Sequence, residues 1–437
     1  MFNALVSIVA FIVAVGLLVT FHELGHFWVA RALKVKVLRF SVGFGKIIYS
    51  KTSKAGIEYC LSAIPLGGYV KMLDEREGEV AEADKPYAFN RQNVYKRIAI
   101  VLAGPLANFL LAVILFTAVF RGGMEGLAPV IGEITPDSYA QQSGLRWHDE
   151  ITAVNNINTP TTQSVRREIV KNIDKHSVQL QVLRIDQEQV LVLPLPPISK
   201  EETKDLFNNI GFAFALPPRI GEVVADTPAA DAGLRPGDLV VGVDDMQNPA
   251  WSEMVVYVSE RPNTPIDFVI QRGQETFAVN ITADEKLNGV GFIGVQIASD
   301  LIRTEKLPLR EAVMQSIQQV KHYSILTLKM MYYMVAGKMS WENISGPVTI
   351  ANVAGASAQI GLVYFLDFLA IISISLGVIN LLPIPMLDGG HLLYYVVEIV
   401  QRKPVSEKTQ MLGLRIGLLI LVSLMGVALY NDILRLM

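Results

Sequence analysis

Four stretches of the chain are apolar for long enough to cross a bilayer as helices, about 20 residues being sufficient. They cover residues 4–30, 98–120, 362–387 and 411–430. Between the first two, VKVLRFSVGFGKIIYSKTSKAGIEYCLSAIPLGGYVKML sets β-branched and aromatic runs between glycines, which predicts successive hairpins. Two placements follow for them: a cytoplasmic sheet, or a sheet dipping beside the first helix with an edge free to pair with an extended peptide. From 121 to about 304 the pattern becomes that of a β-rich soluble insert. From Leu307 to Ala336 apolar residues recur at helical spacing, predicting an amphipathic helix on the membrane surface, and VTIANVAGASAQIG then reads as a small-residue connector.

Composition agrees with a multi-domain membrane protein: 437 residues, 51% hydrophobic, formal net charge −3. No dense Lys/Arg run interleaves with aromatics, so nucleic acid is not an expected partner. Cys60 is the single cysteine, so no intrachain disulfide is available. Met1 to Leu5 carry no Lys or Arg, and the first apolar stretch reads as retained rather than cleaved. Arg31, Lys34, Lys36, Arg39, Lys96, Arg97, Arg402, Lys403 and Lys408 flank the apolar stretches on what the positive-inside rule makes the cytoplasmic side. Both termini and the insert then face the periplasm.

The chemistry sits inside these apolar stretches. In the first, His22-Glu23-Leu24-Gly25-His26 puts two imidazoles on one helical face with a carboxylate beside them, the pattern of a zinc-dependent hydrolase. A carboxylate at such depth costs about 2.5–3.5 kcal/mol on insertion scales, which favours a functional reading of Glu23. The second stretch opens with Gly104-Pro105-Leu106-Ala107-Asn108, small residues for close helix approach plus an amide seeking an interhelical partner. Packing is the first reading of Asn108 and proximity to the metal the alternative. The third carries Asn380, Pro383, Pro385 and Asp388-Gly389-Gly390-His391. Asp388 needs a partner: Arg415 is the one intramembrane base, and a metal already held by two histidines is the better candidate. His391 reads as a structural hydrogen-bonding residue, with ligation as the alternative.

The insert contains a repeat. GEITPDSYAQQSGLRWHDEITAV from Gly132 aligns without gaps to GEVVADTPAADAGLRPGDLVVGV from Gly221. This pattern resembles a pair of PDZ domains, each ending in a glycine-phenylalanine loop, Gly211-Phe212 and Gly291-Phe292, of the kind that holds a peptide C-terminus. His148 and His176 read as surface or capping residues, and His322 as an interfacial side chain.

Taken together, the zinc helix, GPLAN, NLLPIPMLDGG, IPLGGYVKMLDE, SGPV and the inserted PDZ pair resemble the RseP-type site-2 proteases of bacteria over essentially the whole chain. The resemblance implies a polytopic α-helical membrane protein with four transmembrane helices, membrane-associated β-hairpins and two periplasmic PDZ domains. The corresponding segments are 1–30, 31–97, 98–120, 121–216, 217–304, 305–361, 362–400 and 401–437. It implies one Zn2+ on His22, His26 and Asp388, Glu23 as catalytic acid/base, and Asn380, Pro383 and Pro385 as substrate-holding residues. The activity implied is hydrolysis within transmembrane segments of pre-trimmed proteins of the bacterial inner membrane, such as anti-sigma factors and remnant signal peptides. Partners are then those substrates, the lipid bilayer and peptide C-termini at the PDZ domains. Two rivals belong to other classes: a PDZ-bearing scaffold with a structural metal, and a zinc transporter.

Overall fold

A computed structural model of the protein describes residues 2–184, 187–196, 206–286 and 289–436. The chain divides into two compact units, residues 1–122 with 307–437, and residues 123–306.

In the first unit, helix α1 (Phe2–Ala32) leads into strands β1 (Val37–Thr52) and β2 (Glu58–Met72), followed by helix α2 (Val94–Gly122). After the insert come α3 (Leu309–Val335), α4 (Pro347–Ile360), α5 (Leu362–Asn380), α6 (Asp388–Gln401) and α7 (Glu407–Leu436). Among the described residues, four helices are long and apolar enough to cross a membrane: α1, α2, α5 and α7. The inward faces of α1, α2 and α5 share a core of Ala14, Leu18, Leu111, Leu115, Phe116, Leu369 and Ile374. The outward faces of the spanning helices leave Ile8, Leu110 and Leu419 exposed, as expected of helices whose solvent is lipid.

The prolines at 383 and 385 interrupt a helix as their spacing predicts, and two further details differ from the sequence expectation. The third apolar stretch is broken: α5 stops at Asn380, and the chain turns before α6 begins at Asp388. Pro383 and Pro385 have no N–H to continue a helix, and Met386 takes φ +88°. The connector after Pro347 is a helix, α4, whose small residues let it lie against α1, with Gly355 against Ser7. Helix α3 is not wholly a surface element. Its first half packs on α2, where the hydroxyls of Ser316 and Thr117 lie 3.1 Å apart and Tyr323 stacks on Phe116. Its second half exposes Ile325, Leu328, Tyr332 and Val335.

The expected hairpins form one ribbon folded back on itself. Arg39 to Val42 pair with Glu58 to Leu61 on one side and with Gly68 to Lys71 on the other, while Tyr49 to Thr52 pair with the far edge of Glu58 to Leu61. Four segments result, with Arg39–Val42 and Glu58–Leu61 side by side in the same direction and each outer segment antiparallel to its neighbour, and the run from Gly68 is one of the two edges.

The inserted unit contains two copies of one design. Each has antiparallel strands (Glu150–Val154, Ser177–Arg184 and Gln187–Pro194; Leu239–Val243, Pro265–Arg272 and Glu275–Thr282) and one longer helix, Thr162–Lys171 or Trp251–Ser259. A shorter pair closes each copy, Ile131–Ile134 with Phe212–Phe214 and Ile220–Val223 with Val295–Ile297. Met124–Leu127 pairs with Ile302–Glu305, so the chain enters and leaves the unit side by side.

The repeated aspartates gain a partner that the motif does not contain. Asp149 and Asp238, both buried, each accept two hydrogen bonds from one guanidinium, Arg184 at 2.7 and 2.7 Å and Arg272 at 2.7 and 2.8 Å. Each carboxylate also accepts a backbone N–H, from Arg146 or Arg235, at 2.8 Å. The same guanidinium donates to the carbonyl of Gly144 or Gly233 at the end of the short helix. Burial alone would raise the Asp238 carboxyl, yet the bonds from Arg272 and Arg235 hold it below its ordinary value.

Candidate metal centre

Helix α1 continues through the histidine motif, so His22 and His26 share a face, and α6 brings Asp388 to them from its first turn. The Oδ2 atom of Asp388 lies 3.2 Å from Nε2 of His22 and 3.5 Å from Nε2 of His26, and the two Nε2 atoms are 3.2 Å apart. These are the donor atoms that bind divalent metals, brought within 4.8 Å of one another, and Asp388 Oδ2 is buried without a hydrogen-bond donor. Lone pairs that converge in a buried place repel unless a cation stands among them, so the donor set fits a metal. Two imidazoles and one carboxylate suit zinc, with three protein ligands and one position left open.

The surroundings fix this arrangement. Nδ1 of His26 donates to the carbonyl of Ile100 at 2.8 Å, which places the ring proton there and leaves Nε2 free. Gly25 faces Ala103 and Ala107 across the helix contact, and Gly104 leaves room for both imidazoles. On the other side, Gly389 lies against the carbonyls of Leu381 and Leu382, so the turn can fold tightly beneath Asp388. Gly417 of α7 presses on Pro385, and Gly413 lies against the Tyr394 hydroxyl with Pro385 beside it.

Glu23 is outside the three-donor cluster and beside it. Its side chain lies against Gly68, and it faces the backbone of Val70 on the ribbon edge. The ribbon therefore does run beside α1, at the level of the histidine motif. The expected substrate residues divide: Asn380 ends α5 half-buried, Pro383 is exposed, and Pro385 is packed under α7. Arg415 is exposed, and Asp388 faces the histidines instead. His391 stays out of the cluster. It lines a cavity of about 330 Å³ with Arg76, Asn90, Arg97, Tyr394 and Glu398, where Arg97 pairs with Glu398 and stacks over Tyr395. Scattered charges at 76, 97 and 398 give no sequence signal for that cavity.

His148 lies in the insert, stacked on Trp147, and burial pushes its imidazole down to about 4. In the insert, structural equivalence shifts the loops relative to their sequence likeness. Gly211 corresponds to Gly294: both take positive φ, and each faces the matched residue of its copy, Ser138 or Thr227. Phe212 corresponds to Val295, since they oppose Ile134 and Val223. In the second copy a groove of about 470 Å³ lies between Trp251–Ser259 and the strand from Val295, with Gly291 and Phe292 at its rim. In the first copy Phe207 packs against Phe212, Phe214 and Arg166 on the matching face.

Peptidase family M50 matches the chain over residues 10–424. The regulator of sigma-E protease RseP of Salmonella typhimurium is 41% identical over 450 residues, covering 100% of both chains. Its namesake in Escherichia coli (strain K12) is 39% identical with the same coverage, and the protease RseP of Yersinia pestis is 40% identical. Among solved structures, the PDZ domain of an SdrC-like protein from Listeria monocytogenes covers 20% of this chain and 94% of that one, at 22% identity and a TM-score of 0.18.

Proposed function

The chain belongs to peptidase family M50, and from that membership and the metal-site geometry we propose a zinc endopeptidase that cuts within membrane-spanning segments. One observation carries the reading: His22, His26 and Asp388 converge inside an apolar bundle with Glu23 beside them. Zinc held by the three side chains would polarise a peptide carbonyl and acidify water.

Each residue of the chain then has a task. Glu23 takes a proton from water and returns it to the departing amine, within reach because it follows His22 on the same helix. The outward backbone of the ribbon edge near Val70 pairs with a substrate that has unwound, since a helical substrate hides its carbonyls in its own hydrogen bonds. Asn380 and Pro383 hold that extended strand, and Pro385, packed under α7, sets the turn from which they do so. In the insert, the groove of the second copy, rimmed by Gly291 and Phe292, receives a peptide end. The loop at Gly211 and Phe212 is the matching place in the first copy.

The relatives' link to sigma-E regulation fits substrates of the anti-sigma factor type, and the same site suits remnant signal peptides. The Lys/Arg flanks support a bacterial inner membrane location with both termini and the insert periplasmic and the metal near the cytoplasmic side. The test uses purified full-length protein, a membrane-spanning substrate and the Glu23→Gln variant. The variant keeps its zinc and loses cleavage by about 10²-fold or more. Cleavage at the parent rate overturns the mechanism.

A further inference from the structure

Asn108 is completely buried on α2, and among the described residues the one side-chain partner of its amide is His22, whose Nδ1 lies 3.3 Å from Nδ2. The amide oxygen is buried with no partner. Its backbone is held in place, because Ser373 of α5 donates to the Asn108 carbonyl at 2.8 Å. A buried amide that meets so few partners is costly at a helix contact, where leucine or alanine would serve packing alone.

The two histidines are supported by different chemistry. The partner of His26 is a carbonyl, which only accepts, so the proton on that ring is fixed at Nδ1. The partner of His22 is an amide, which donates through nitrogen and accepts through oxygen. The amide nitrogen and oxygen fill the same space, and with Nδ2 toward the ring Nδ1 of His22 would be the acceptor and Nε2 would carry the proton. A metal ligand at Nε2 cannot keep that proton. It must move to Nδ1, which then needs an acceptor, and a half-turn of the Asn108 amide supplies one.

We propose that Asn108 is a positioning residue that selects the metal-binding tautomer of His22 by accepting from its Nδ1–H. This rests on the metal reading of His22, His26 and Asp388, and its failure is separable from failure of that reading. It assigns to the last residue of GPLAN a purpose distinct from the close helix contact made by Gly104.

The experiment measures zinc retention by purified full-length protein against a graded chelator, with thermal melting as a check on folding. Asn108→Leu keeps bulk and removes the acceptor, and zinc affinity falls about 10–100-fold, the usual cost of losing such a support. Asn108→Asp keeps the acceptor and holds zinc at least as tightly as the parent. If the leucine variant does not fold, Asn108→Ala takes its place with the same expected loss. A leucine or alanine variant that holds zinc like the parent overturns the role of Asn108, and so does an aspartate variant that loses as much as leucine. A parent protein that binds no zinc overturns the metal reading itself.

Discussion

Gly104 lies directly over the metal-facing edge of His26: a methyl group added at Gly104 would sit 2.2 Å from Nε2 of that ring and 2.8 Å from Cε1 of His22. No rotamer relieves this, because both rings are held from behind by α2 itself, through Ile100 and Asn108. Gly104→Ala should therefore cost zinc and cleavage together, each by about 10-fold or more, the scale at which loss of ligand geometry is felt. Gly16 on α1, which has nothing within 4 Å of the same added group, provides the control. Gly16→Ala should match the parent in metal analysis and in substrate cleavage. Chelation of the parent should abolish cleavage, and added zinc should restore it.

The ribbon edge gives a prediction that separates substrate holding from metal binding. Val70→Pro removes the backbone N–H that faces Glu23 on the ribbon edge, and proline is tolerated on an edge strand. Zinc content should stay at the parent level while cleavage of a membrane-spanning substrate falls several-fold, seen mainly as a raised KM. A variant with normal kinetics would show that extended substrate does not pair at Val70.

In the insert, Arg272 tests how far the buried carboxylate of its copy depends on its guanidinium partner. Asp238 is 1% exposed and the guanidinium 32%, so Arg272→Ala leaves a buried carboxylate half-satisfied. The expected loss is smaller than that of breaking a fully buried pair, since solvent reaches the guanidinium. It is measured by hydrogen exchange over residues 265–282 in the full-length protein.

The same pair has a pH signature. The folded Asp238 carboxyl titrates below its ordinary value of 3.8. Its contribution is then complete above about pH 4 and is lost as pH falls through the folded value. The parent insert should lose protection in that acid window, and the Arg272→Ala variant should lose less over the same interval.

Paired entry and exit strands make the insert removable. Joining Leu127 to Leu301 by a short glycine linker keeps Met124–Leu127 against Ile302–Glu305. If the insert filters substrates, the shortened protein should cut full-length substrates that the parent spares. Unchanged selectivity in a cleavage assay would count against the filter.

The sequence made legible what its chemistry encodes locally. His22, Glu23 and His26 are readable because a helix fixes their spacing, and Asp388 because an acid in an apolar stretch demands a partner. The four apolar helices follow from length alone. Long-range pairings carry no such mark. Nothing at position 184 or 272 announces an arginine bound to an aspartate some 35 residues earlier in its copy. Arg39 to Val42 pairing on both sides at once is invisible to a reading that treats each hairpin separately. The match of Gly211 to Gly294 rather than to Gly291 was hidden because similar letters, glycine before phenylalanine, occur at inequivalent places in the two loops. Helix α4 was missed because its small residues, read as a connector, are there to approach α1.

Helix α7 touches two places that the sequence keeps apart. At its C-terminal end Asp432 accepts from the backbone N–H groups of Gly346 and Val348 and from the hydroxyl of Thr349, and Asn431 donates to the carbonyls of Trp341 and Ile344. Nearer its start, Gly417 closes on Pro385, in the turn that delivers Asp388, and Gly413 has Pro385 beside it. A helix rises about 1.5 Å per residue, so these contacts stand roughly 21–28 Å apart on one stiff rod. The N-terminus of α4 and the third metal-facing side chain are thereby set at a fixed separation, and lengthening α7 by a turn between residues 417 and 431 would detune a site that the added residues never touch.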